Sequence, residues 1–223
     1  MKFLIRFFNI IISKIKGTSN SDASSGNVVP VNPKAKTIFL VVGHSAVDGG
    51  MEIYKNDRYK SEYSFNQDVA IACKSYINKE KINIFIGYRQ NSVNYTSAMR
   101  SLARDAKDIG ADLAIELHLN ASGIPEARGF EILTNKMSEK IARVIADGFI
   151  ERYSIRARGD NGVKVLNSSD RGAGFLSAMS DVGVPSMLIE PCFADYRTNE
   201  SVQIIEDHQG YGDFLAKTLE QFA

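Results

Sequence analysis

Residues 37–42 read TIFLVV, and residues 186–190 read SMLIE. Each is an unbroken apolar run rich in β-branched or long aliphatic side chains, the habit of a strand buried on both faces. Working outward, INIFIGY (Ile82–Tyr88) and DLAIELHL (Asp112–Leu119) read the same way, and Gly129–Leu133 and Val163–Leu166 give two shorter candidates. Helical periods lie between them. Glu62–Asn78 carries Phe65, Val69, Ala72, Cys73 and Tyr76 on one stripe, and Lys136–Tyr153 carries Ile141, Val144, Ile145 and Phe149. Thr96–Ile109, Gly174–Val182 and Tyr211–Phe222 complete the set. Strands alternating with helical stretches predict an α/β fold: a single domain whose mostly parallel, twisted sheet is flanked by helices.

Upstream of Thr37 the pattern changes. Residues 17–36, GTSNSDASSGNVVPVNPKAK, are rich in Gly, Ser, Asn and Pro and predict a flexible linker. In residues 1–16, MKFLIRFFNIIISKIK, the polar Lys2, Arg6, Asn9, Ser13 and Lys16 recur at helical spacing opposite Phe3, Leu4, Phe7, Phe8, Ile11, Ile12 and Ile15. Sixteen helical residues span about 24 Å, short of the ~30 Å hydrocarbon core of a bilayer. Three readings stay open: an interfacial membrane helix, a secretory or signal-anchor segment, and a terminal helix packed on its own domain. The folded domain is expected over residues 37–223.

Composition narrows the function. Twenty-seven Lys and Arg face 26 Asp and Glu across 223 residues, so the basic excess of a nucleic-acid binder is missing. Two cysteines, Cys73 and Cys192, rule out a disulfide framework and a CxxC zinc knuckle. No oligomeric state is read from the sequence.

Three chemically able residues fall where predicted strands end: His44 after TIFLVVG, His118 in IELHLNAS and Glu190 in SMLIEPCF. In open α/β sheets that edge binds ligands. Glu62 opens the helix that follows the His44 loop. Two imidazoles and a carboxylate suit a zinc site with one open position. A histidine closing a strand is also commonly a structural hydrogen-bonding residue, and a glutamate opening a helix answers its dipole; spacing alone leaves both readings open. Glu190 is the hardest to read as structural, because an ionised carboxylate beside a core needs a partner.

Taken together, VVGHS, SEYSFN, ADLAIELHLNAS followed by GFEIL, and PSMLIEPCF resemble the zinc-dependent N-acetylmuramoyl-L-alanine amidases of the amidase-3 type, over about Thr37 to Ala223. IELHLNAS and VLNSS are similar to bacteriophage endolysin catalytic domains of that family. The resemblance implies His44, Glu62 and His118 as zinc ligands and Glu190 as the catalytic carboxylate. It implies cleavage of the peptidoglycan amide between the lactyl group of N-acetylmuramic acid and the L-alanine of the stem peptide. A phage or prophage lysis enzyme is expected, with a bacterial wall-remodelling amidase or a non-catalytic peptidoglycan-binding homologue as alternatives. Action at the cell wall, on the periplasmic or extracellular side, is implied, with residues 1–16 a candidate membrane contact before release.

Ser45-Ala46, Lys107 and Cys192 depart from the family's usual residues and bear on substrate contacts rather than on the metal. Asn120 and Ser122 follow His118 and are candidate substrate contacts, as is Arg104, the basic residue matching the family's arginine-containing helix. Glu116 shares the strand face of His118 and either orients a ligand or forms a peripheral salt bridge. Arg156, Arg158 and Arg171 are loop cations able to meet stem-peptide carboxylates. His208, in DHQGYG, is expected at the surface.

Overall fold

The computed structural model describes residues 32–54, 58–91, 93–170 and 172–223. The amphipathic segment 1–16, most of the linker and Arg171 lie outside the described residues. The compact unit begins at Asn32, ahead of the expected Thr37. Asn32 is tied to the sheet, its N–H donating to Asn83 Oδ1 at 3.2 Å and its carbonyl accepting from Asn83 Nδ2 at 2.8 Å.

Six strands form one sheet in the order β2-β1-β3-β6-β4-β5. Lys36–Val42 (β1) pairs in parallel with Ile82–Tyr88 (β2) and Leu113–Leu117 (β3), and β3 pairs in parallel with Ser186–Glu190 (β6). Glu131–Thr134 (β4) runs antiparallel to β6, and Val163–Val165 (β5) lies parallel to β4 at the edge. The mostly parallel sheet follows from the apolar runs. The reversal at β4 does not, because a four-residue strand carries no directional signal.

The alternating side chains of the strands fill two cores. Ile38, Leu40, Val42, Leu113 and Ile115 pack with helices α1 (Glu62–Tyr76), α3 (Glu139–Tyr153) and α6 (His208–Leu219), where Phe65, Phe149, Tyr211 and Phe214 form an aromatic cluster. Phe39, Val41 and Ala114 face the opposite way, onto α2 (Tyr95–Asp108) and α4 (Gly174–Asp181) through Met99, Leu102, Phe175 and Met179.

Local chemistry sets the helix starts. Ser61 Oγ accepts from Ser64 N–H and opens α1 at Glu62; Asn94 caps α2 in the same way. The stretch expected to be helical from Lys136 begins as a 3-10 turn, Lys136–Ser138, capped by Asn135. A helix absent from the sequence reading, α5 (Asn199–Ile205), is held by a Thr198–Ser201 capping box. Asp207 then starts α6 three residues before the expected Tyr211. His208 is consequently not a surface residue: it is 5% exposed, with Nε2 near Arg58 and Gln209. Among the described residues, no helix is long and apolar enough to cross a membrane.

Candidate active site

The carboxyl ends of β1, β3 and β6 lie side by side, and pairing continues past them. Gly43 N–H donates to Leu117 O, His118 N–H to Ile189 O, and Asn120 N–H to Cys192 O. His44, His118 and Glu190 are thereby brought to one edge of the sheet. Glu62 arrives from the other direction, as the first residue of α1, whose Asn66 donates Nδ2 to Leu117 O and fixes the helix to β3.

Glu62 is the hub. Its Oε1 lies 2.8 Å from His118 Nδ1 and accepts Leu119 N–H at 2.8 Å; its Oε2 lies 3.1 Å from His44 Nε2 and accepts Met51 N–H at 3.3 Å. The carboxylate is 2% exposed. Burial alone would raise its pKa, but the two imidazoles and their charge outweigh that and hold it well below the usual carboxylate range. His118 shows the converse balance. Burial pulls its pKa down, and the Glu116 and Glu62 carboxylates push it up to about 9.

His44 sits at φ +64°, a left-handed conformation uncommon outside glycine and asparagine, which turns its ring back over Glu62. Ser45 and Asp48 close the turn behind it by reciprocal bonds, Ser45 N–H to Asp48 O and Asp48 N–H to Ser45 Oγ. Ser45 is thus a turn-closing residue here. Gly50, at φ +73°, passes so close that an added Cβ would stand 2.5 Å from His44 Cδ2 and 2.7 Å from Glu62 Oε2.

The donors of His44, Glu62 and His118 lie within 4.8 Å of one another. Two imidazoles and one carboxylate make the donor set that zinc favours in catalytic sites. His44 turns Nε2 to Glu62, and its Nδ1 is buried with no hydrogen bond, 4.0 Å from Asp48 Oδ2.

Glu190 is partly buried at the end of β6. Burial raises its pKa above the ordinary value; His118 and Arg158 lower it and Glu62 raises it. Asn120 Nδ2 donates to Glu190 Oε2 at 2.7 Å and to Glu131 Oε1 at 2.8 Å. Glu131 stands opposite Glu190 in the β4–β6 register and is paired with Arg158, which lies over the Phe193 ring at 4.9 Å. Asn120 therefore reaches the site as a partner of its carboxylates.

Ser122 lies on the exposed loop beyond, its backbone N–H held by Asp195 Oδ2 at 3.0 Å. Arg104 is exposed on α2 and makes no hydrogen bond or ion pair with any of these residues. Glu116 does form a salt bridge, with Arg89 at 2.6 Å, but it is fully buried rather than peripheral and its Oε2 is 3.4 Å from His118 Nε2.

Arg89 and Glu131 are the site neighbours that sequence reading passed over. Arg89 follows β2 at the same sheet edge, so the rule that selected His44 and His118 applied to it equally. Glu131 needed the antiparallel register of β4.

Comparison with known proteins now bears on this geometry. A search of curated proteins returns no match. Among solved structures, the chain superposes on Cwp6 from Clostridium difficile with a TM-score of 0.67 at 20% identity, covering 84% of this chain and 29% of that one. It matches the catalytic domain of CwlV, an N-acetylmuramoyl-L-alanine amidase from Bacillus (Paenibacillus) polymyxa var. colistinus, with a TM-score of 0.65 at 19% identity over 84% of this chain and 97% of that one. The catalytic domain of an endolysin targeting Clostridia Difficile gives 0.63 at 22% identity over 83% and 97%. At these identities the likeness is one of fold. The family model described as N-acetylmuramoyl-L-alanine amidase matches residues 38–210. That span holds the sheet from the third residue of β1 onward and all four residues of the cluster, and the chain belongs to the Amidase_3 family of N-acetylmuramoyl-L-alanine amidases.

Proposed function

We propose that the chain hydrolyses the peptidoglycan amide joining the lactyl group of N-acetylmuramic acid to the L-alanine of the stem peptide, with zinc held by His44, Glu62 and His118 and with Glu190 as the catalytic carboxylate. The observation that carries this reading is the convergence of those three donors within 4.8 Å at the sheet edge that also ends in Glu190. When bound, zinc supplies a Lewis acid for the scissile carbonyl and makes hydroxide available near neutrality.

The protein's own groups do the rest. Glu62 carries the negative charge of the ligand set, and its bonds from Leu119 and Met51 N–H hold both oxygens in place. Glu190 takes a proton from the attacking water and passes it to the departing L-alanine nitrogen. Asn120 donates to Oε2 of that carboxylate and so holds it at the end of β6. A carboxylate whose pKa is raised by burial is a stronger base for the first step, where the water loses its proton.

The role we propose is phage or prophage lysis, on the resemblance of IELHLNAS and VLNSS and on the endolysin catalytic domain among the structural neighbours. The site of action is then the cell wall, and residues 1–16 hold the enzyme at the membrane surface until release. Mass spectrometry of digested peptidoglycan, with and without a chelator, tests the chemistry. Stem peptides with a free L-alanine amino terminus, lost on chelation and restored by zinc, are expected. Unchanged peptidoglycan from thin and thick walls alike would leave a wall-binding protein in its place. Induced expression tests the role: release of cytoplasmic contents marks a lysis enzyme, and daughter-cell separation without release marks a remodelling one.

A further inference from the structure

Beneath His118 lies a buried ion pair that the proposed mechanism does not use. Glu116 is two residues before His118 on β3 and fully buried. Arg89, just past the end of β2, reaches across β1 to it. Its Nε and Nη2 both donate to Oε1, at 3.1 and 2.6 Å. Arg89 is itself seated over the ring of Tyr95 at 5.4 Å. With Oε1 doubly engaged, Oε2 has no hydrogen-bond partner although it is buried. A carboxylate oxygen left in that condition is costly. His118 Nε2 stands 3.4 Å away.

The same nitrogen is also 3.2 Å from Arg89 Nη2. The two neighbours ask for different tautomers. A bare Nε2 accepts from Arg89 and leaves the proton on Nδ1, donating to Glu62 Oε1 at 2.8 Å. A protonated Nε2 has Glu116 Oε2 as its nearest acceptor, 3.4 Å away and short of a hydrogen bond in this structure, and turns the Nδ1 lone pair toward Glu62. Only the second arrangement gives Oε2 a donor and offers Nδ1 to a metal, because a ring nitrogen that carries a proton cannot also coordinate.

We infer that Glu116, held by Arg89, is a positioning residue that fixes His118 in the Nε2–H tautomer and so presents Nδ1 as the metal donor. Outer carboxylates that accept from a ligating imidazole orient its ring and raise its basicity. Arg89 supplies the counter-charge that lets such a carboxylate be buried and, by occupying Oε1, aims Oε2 at the ring. The inference rests on reading His44, Glu62 and His118 as a metal site.

The test uses the full chain labelled with ¹⁵N-histidine, whose three histidines give resolvable ring signals. With zinc added, the proton of His118 is expected on Nε2 and the metal-shifted signal on Nδ1. Glu116→Gln is expected to lower zinc affinity about 10–100-fold in competition with a chromophoric chelator, with an unchanged circular dichroism spectrum. Zinc on Nε2, or a Glu116→Gln protein that is folded and within twofold of the wild-type affinity, would overturn the inference. Should that variant not fold, the wild-type spectrum decides alone. A wild-type chain that binds no zinc at all overturns the metal reading, and this inference with it; a bound metal with an indifferent Glu116 overturns this inference only.

Discussion

Glu190 owes its position to β6 and its acidity to its neighbours. Burial raises its pKa, the His118 and Arg158 charges pull it down, and the Glu62 charge pushes it up. As the proton acceptor it must be ionised, so activity falls as pH drops through its raised pKa, and the acid limb of kcat/KM is expected above the ordinary carboxylate range. Glu190→Gln should remove that limb and lower kcat by about 10²–10⁴-fold while the zinc content, measured by atomic emission, stays at one per chain; loss of the metal would reassign Glu190 to the ligand set. Arg158→Gln removes a charge that lowers the Glu190 pKa, so its acid limb should move to higher pH with the plateau rate retained. A limb that stays put or moves down would separate Arg158 from Glu190 and leave it as the partner of Glu131 alone.

Between elements, the β1–α1 connection does the assembling. It must bring a histidine from the end of a strand over the first residue of a helix, and it does so with two left-handed residues, His44 and Gly50. Gly50→Ala would force a Cβ against both His44 and Glu62 in a conformation that L side chains rarely adopt. It should weaken zinc binding at least tenfold in chelator competition, with little change in the urea midpoint of the metal-free protein, because Gly50 itself is exposed and belongs to neither core; unchanged affinity would show that the turn yields. The site's legibility in sequence follows the same division. His44, His118 and Glu190 were readable because strand ends are marked by where apolar runs stop, and Glu62 because it opens the helical stretch that follows the His44 loop. The Glu131–Asn120–Glu190 linkage was not, since it depends on a strand direction that EILT does not encode. Arg89 was open to the same strand-end rule, but its pairing with Glu116 was not, because only the β2-β1-β3 order brings the two together. His208 was misplaced for a related reason: Asp207 begins α6 early and draws the imidazole inside.

At the scale of the whole molecule, the alternation of strands and helices made the two-layered cover of the sheet readable, since every strand residue that is apolar on both sides demands a helix on each. Residues 1–16 follow a different sequence pattern, in which polar and cationic residues recur at helical spacing opposite an apolar set. The membrane contact proposed for residues 1–16 rests on that pattern: sixteen helical residues are too short to cross a bilayer, and Lys2, Arg6 and Lys16 are the cations that anionic headgroups would attract. The full chain should therefore float with anionic vesicles and float less as salt rises, because exposed charges are screened within about 8–10 Å at physiological ionic strength. A chain lacking residues 1–31 keeps Asn32 and its bonds to Asn83, so it should retain its activity on isolated peptidoglycan while losing the vesicles. Equal flotation of the two chains would place any membrane contact on the folded domain. Loss of peptidoglycan activity in the shortened chain would instead make the first thirty-one residues part of the enzyme and not its tether.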